Sequence, residues 1–114
     1  LTESWNGTNW TEVNDLNTAR QGLSGAGSDN TAALAFGGGV PPSTAGTAKT
    51  ELYNGVSWVE VADLSTARVY LGGAGTSTAG LAFGGNGGGP TGSVTTATEE
   101  WSGSTTTTKT VSTD

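Results

Sequence analysis

Hydrophobic and polar positions alternate along this chain in short runs, each closed by glycine, asparagine or threonine. Residues 2–7 (TESWNG) and 9–14 (NWTEVN) set Trp5, Trp10 and Val13 among polar neighbours. Residues 21–27 (QGLSGAG) are almost wholly small, and 31–37 (TAALAFG) form an apolar run. Residues 49–54 (KTELYN) and 57–62 (SWVEVA) alternate again. Runs of this length, bounded by turn residues, predict β-strands. No segment carries a helical period, and 20 glycines would weaken any helix. Asn6-Gly7 and Asn54-Gly55 each lie between two runs, so both are expected to form tight hairpin turns with positive φ. The chain is expected to be all-β.

The runs also recur. Trp5, Tyr53 and Trp101 are spaced by 48, as are Trp10 with Trp58, Leu16 with Leu64, Arg20 with Arg68 and Leu23 with Leu71. "LAFGG" returns at 34–38 and 81–85, one residue short, and a longer Gly/Thr loop restores the period by Glu99. Length changes confined to loops mark a structural repeat. The units run approximately over 2–49 and 50–97, with a partial third over 98–114, in one segment spanning 1–114. Four short strands repeating at about 50 residues predict propeller blades of four antiparallel strands. The strand nearest the axis would be crowded, which suits "GLSGAG" and "YLGGAG"; the outer strands have room for Trp5, Trp10, Tyr53, Trp58 and Trp101.

The unit resembles a kelch repeat. Each inner strand follows an Arg. The second strand ends in a double glycine (Gly37-Gly38, Gly84-Gly85), and an aromatic (Tyr53) precedes a Trp (Trp58) across a hairpin. Tyr53 and Trp58 stand closer than the corresponding kelch residues, which implies a shorter hairpin. The Gly/Thr/Ser richness is similar to kelch-like repeats of phage and marine-microbial structural proteins, which implies an extracellular or virion-associated protein. On this pattern the chain holds about two and a half blades. Such an arc leaves strand edges open, so it is expected to be a homo-oligomer or a fragment of a larger propeller.

Composition narrows the functions. Four Lys and Arg against ten Asp and Glu give a net charge of −6, too few cations for a phosphate-binding stripe, so no nucleic-acid partner is expected. No apolar run approaches a membrane span, so no membrane insertion is expected either. With no His and no Cys, most catalytic triads, thiol chemistry and transition-metal sites are excluded. No catalytic residue, metal or cofactor is expected. "SDN" at 28–30 offers oxygen atoms without a full calcium-loop pattern. The clusters "FGGGVPPSTAG" and "FGGNGGGPTG" lack the Lys of a phosphate loop and are expected to join second and third strands.

The repeated acidic residues Glu3/Glu51/Glu99, Glu12/Glu60 and Asp15/Asp63 are expected to be solvated rim charges or loop caps. Arg20 and Arg68 precede the inner strands and, by the resemblance, lie near the mouth of a central channel. Each either bonds nearby loop carbonyls or grips an acidic ligand. The Trp residues are expected to pack between blades. The functional expectation is a non-enzymatic structural or binding module that presents loops to a protein or glycan. The alternative is a carbohydrate-binding lectin with sites between blades.

Overall fold

The computed structural model describes residues 1–43, 45–87 and 94–103 in full, and 106–109 by their backbone. The strands are β1 (Thr2–Trp5), β2 (Trp10–Val13), β3 (Ser24–Asp29), β4 (Ala32–Phe36), β5 (Thr50–Tyr53) and β6 (Trp58–Val61). They continue with β7 (Arg68–Val69), β8 (Gly72–Gly75), β9 (Gly80–Phe83), β10 (Asn86–Gly87), β11 (Thr98–Trp101) and β12 (Thr106–Lys109). Among the described residues there is no helix, and the protein is all-β with every pairing antiparallel. The expected final strand at 105–112 is described only over Thr106–Lys109, and the second Gly-rich loop lies outside the described residues at 88–93.

Two four-stranded sheets dominate, ordered β3-β4-β5-β6 and β8-β9-β11-β12, with β1-β2 as a two-stranded sheet ahead of them. Side chains alternate across a strand, so Leu34 and Phe36 of β4 share a face. That face meets the second sheet in a core of Leu34, Phe36, Leu64, Leu71, Ala82 and Trp101. The small residues of the inner strands are required by this contact. A Cβ on Gly73 of β8 would lie 2.5 Å from the Phe36 ring and 2.9 Å from the Gly25 carbonyl of β3. The packing leaves a void of only about 10 Å³.

The hairpins depart from the expected tight turn. In a two-residue Asn-Gly turn both residues take positive φ; here only the glycines do, Gly7 at 97° and Gly55 at 94°. The loops contain four residues, because Trp5 pairs with Trp10 and Tyr53 with Trp58. Asn6 and Asn54 serve through their side chains instead. Asn6 Oδ1 accepts from the amides of Thr8 and Asn9, and Asn54 Oδ1 from those of Val56 and Ser57.

The small pair β7-β10 was not legible in the sequence, where the equivalent stretch 21–27 of the preceding unit reads as one strand. Tyr70 takes a left-handed φ of 58° between β7 and β8, as Gly22 does at 63° in the preceding unit. The segment before the kink lies against that preceding unit. Arg68 C=O accepts from Gly38 N–H at 2.7 Å, Arg68 N–H donates to Thr47, Tyr70 N–H to Gly22 and Leu64 N–H to Ala48. Backbone therefore joins the two units, in addition to the apolar core.

Candidate functional site

The chemistry-bearing side chains converge on two equivalent places. Arg20 stands at the end of the "NTAR" link and Glu51 on the central strand β5, and Arg20 Nη2 meets Glu51 Oε2 at 2.8 Å. One unit later Arg68 Nη2 meets Glu99 Oε2, on β11, at 2.5 Å. All four side chains are buried to within 1% of complete. The second terminal nitrogen is satisfied in the same way twice, while the Nε of each Arg is buried without a hydrogen-bond partner among the described residues. Arg20 Nη1 donates to the carbonyls of Gly37 and Lys49, and Arg68 Nη1 to those of Gly84 and Ala97. The second carboxylate oxygen then holds the link. Glu51 Oε1 accepts from Asn17 N–H; Glu99 Oε1 accepts from the Ser65 amide and hydroxyl.

Each set is a clamp that ties a link and a double-glycine turn to the middle of a sheet. Burial pushes Glu99 up, but the Ser65 amide and hydroxyl and the Arg68 guanidinium outweigh it. The carboxyl is held below its ordinary 4.5. Removing one partner of such a pair strands a charge in a dry site and costs about 3–5 kcal/mol.

This geometry revises two expectations. Glu51 and Glu99 are not solvated rim charges, since each is 1% exposed. The guanidinium groups of Arg20 and Arg68 do bond loop carbonyls, but the acid each grips is the chain's own, and neither offers a face to an external ligand. Composition hid the pairing. The available signal was that Arg and Glu recur at a fixed separation of 31 residues in both units.

The double glycines sit beside the clamps. Gly37 and Gly38 have φ of 71° and 92°, and Gly84 and Gly85 of 70° and 85°, values that L side chains rarely adopt. The remaining acids are peripheral. Glu60 pairs with Lys49 at 2.9 Å on the surface. Asp15 accepts from the Thr2 amide, and Asp29 from the Thr31 amide and hydroxyl, which lower its carboxyl. Among the described residues no three acidic side chains gather as a metal site.

The aromatic positions divide. Tyr53 and Trp101 are buried as expected, at 7% and 5% exposure, and Trp58 is half-buried. Trp5 and Trp10 are 46% and 64% exposed, contrary to expectation, because β1-β2 has no neighbouring strand pair among the described residues. At the other end, Leu81 and Phe83 of β9 are 41% and 42% exposed, although Leu34 and Phe36 at the same repeat positions are each 3% exposed. Among the described residues, apolar side chains are thus left exposed at both ends of the stack. In comparisons with the models of known families and with curated proteins, nothing matches this chain.

Proposed function

We propose that this chain is a segment of a kelch-like β-propeller of about two and a half blades. It acts as a non-enzymatic structural or binding module that presents loops to a protein or glycan partner within a virion-associated or secreted assembly. The observation that carries this reading is a pair of face-packed, four-stranded sheets, each fixed by the same internal clamp, with apolar residues left exposed at each end among the described residues. A unit that cannot stay dry alone and covers its neighbour is the logic of radial repeats. The clamps use Arg20, Glu51, Arg68 and Glu99 to fix the loops, which suits a rigid loop-bearing scaffold. Several copies of the chain, or further blades, complete the circle.

The lectin alternative draws on the exposed aromatic pair at the N-terminal hairpin, where the Trp5 and Trp10 rings lie 5.4 Å apart. Binding on a glycan array, with quenching of tryptophan fluorescence that Trp10→Ala abolishes, supports the lectin. Retention of the chain in a purified ring or particle, with no glycan bound, supports the structural module. A folded chain whose scattering fits separate sheets in no ring contradicts the propeller.

A further inference from the structure

The hairpin β1-β2 is the counterpart of β5-β6 and of β11-β12, yet among the described residues three things are missing from it. Both counterparts possess the first and the third, and β5-β6 possesses the second. The first is a strand. β5 pairs with β4 on its inner edge and β11 with β9, whereas β1 pairs with β2 alone among the described residues. The second is an apolar filling. Leu64, Leu71 and Ala82 enclose Leu34 and Phe36 with a void of about 10 Å³. Their counterparts Leu16, Leu23 and Ala35 instead line, with Leu1, Thr2 and Trp58, a cleft of about 380 Å³. The third is a cation. Glu51 and Glu99 each hold a buried Arg, but Glu3, at the same position of β1, is exposed and makes no ion pair among the described residues.

We infer that the edge of β1, the cleft beside it and Glu3 form one docking site for an Arg-led strand pair of this same repeat type. Its first strand is glycine-rich and its second reads Leu-Ala-Phe-Gly-Gly. The inference rests on the stacked-repeat reading above for the nature of the occupant. The register follows from the two filled copies. Phe36 lies opposite Thr50 and Phe83 opposite Thr98; Leu34 lies opposite Leu52 and Leu81 opposite Glu100. The docked Phe therefore lies opposite Thr2 and the docked Leu opposite Ser4. Thr2 is part of the cleft wall, which places the Phe ring where the space is. The partner Arg reaches Glu3 and closes a third clamp. Strand addition supplies backbone hydrogen bonds, and the cleft supplies side-chain selection.

The test is a synthetic peptide of residues 66–87 (TARVYLGGAGTSTAGLAFGGNG) titrated into the full chain, followed by calorimetry and tryptophan fluorescence. Saturable binding is expected. Phe83→Ala in the peptide should weaken it at least about tenfold, and Glu3→Gln in the chain about tenfold, since that residue is exposed and its loss leaves the fold intact. A scrambled peptide should not bind. A second arm places residues 66–97 ahead of Thr2 in one polypeptide and expects a melting temperature higher by roughly 4 °C or more. Absence of binding together with an unchanged melting temperature would overturn the site. Equal binding of the scrambled or Phe83→Ala peptide would overturn it too. A ring of unexpected blade number, or none, counts against the propeller but leaves this result standing.

Discussion

Glu99 reaches back 31 residues to Arg68, and Glu51 reaches back the same 31 to Arg20, so one internal salt bridge is built twice with the same secondary contacts. The Arg precedes the inner strand of its unit and the Glu lies on the third strand. Closing the pair brings the entry to the sheet and its middle together. A chain poor in large apolar residues thereby gains two fixed points that its composition does not advertise.

Glu51→Gln keeps the shape of the side chain and removes its charge, leaving the Arg20 guanidinium buried and unmatched. The expected loss is about 3–5 kcal/mol in urea unfolding. Glu3→Gln, at the equivalent exposed position, should change stability by about 0.5 kcal/mol or less. Equal losses at the two positions would remove the distinction between a closed clamp and an open one.

Acid should act through Glu99. Its carboxyl titrates below its ordinary 4.5 in the folded chain. The unfolded state therefore binds its proton first as pH falls, and the stabilisation, complete above that ordinary value, is lost through the folded value. Unfolding midpoints measured from neutral pH downward should fall below about pH 4.5. Glu99→Gln should be less stable at neutral pH and show a shallower acid limb. An unchanged limb in the variant would place the acid sensitivity elsewhere.

Gly37 and Gly84 separate backbone strain from contact between units. Both have φ near 70°, but a Cβ on Gly37 would lie 2.8 Å from Leu71 and 2.9 Å from the Arg68 carbonyl, whereas one on Gly84 meets nothing nearer than 4.0 Å. Gly84→Ala should cost about 1 kcal/mol from conformation alone. Gly37→Ala should cost about 2–4 kcal/mol, adding the crowding of a packed interface. Chemical denaturation of the two variants checks the difference.

The aromatic repeat makes a parallel comparison. Trp101→Ala empties a core position, with its indole N–H lost from the Ser77 carbonyl, and should cost about 3–5 kcal/mol. Trp5→Ala removes a ring already 46% exposed and should cost about 1 kcal/mol in the chain by itself.

Much of this fold was legible before the structure. The alternation and the 48-residue spacing gave the strand positions to within a few residues, since β4, β5 and β6 fall inside 31–37, 49–54 and 57–62. The small-residue strands correctly signalled close packing, because Gly73 faces Phe36. What could not be read was tertiary. Alternation marks Glu51 simply as polar, and only its distance from Arg20 shows that burial is compensated. The kink at Tyr70 was equally hidden, because nothing in Tyr itself calls for a left-handed φ. The exposure of Trp5 and Phe83 depends on neighbours that no local pattern describes. The site is therefore less legible than the scaffold, since it arises from what each unit leaves uncovered.

The mass of the isolated 114-residue chain in solution, measured by light scattering or native mass spectrometry across a dilution series, bears on all of this most directly. Leu81 and Phe83 bared at one end, with an empty cleft at the other, should drive particles of two or more copies, and Phe83→Ser should shift the population toward smaller species. A folded, stable monomer that persists at high concentration and is indifferent to Phe83→Ser would show that those faces need no partner.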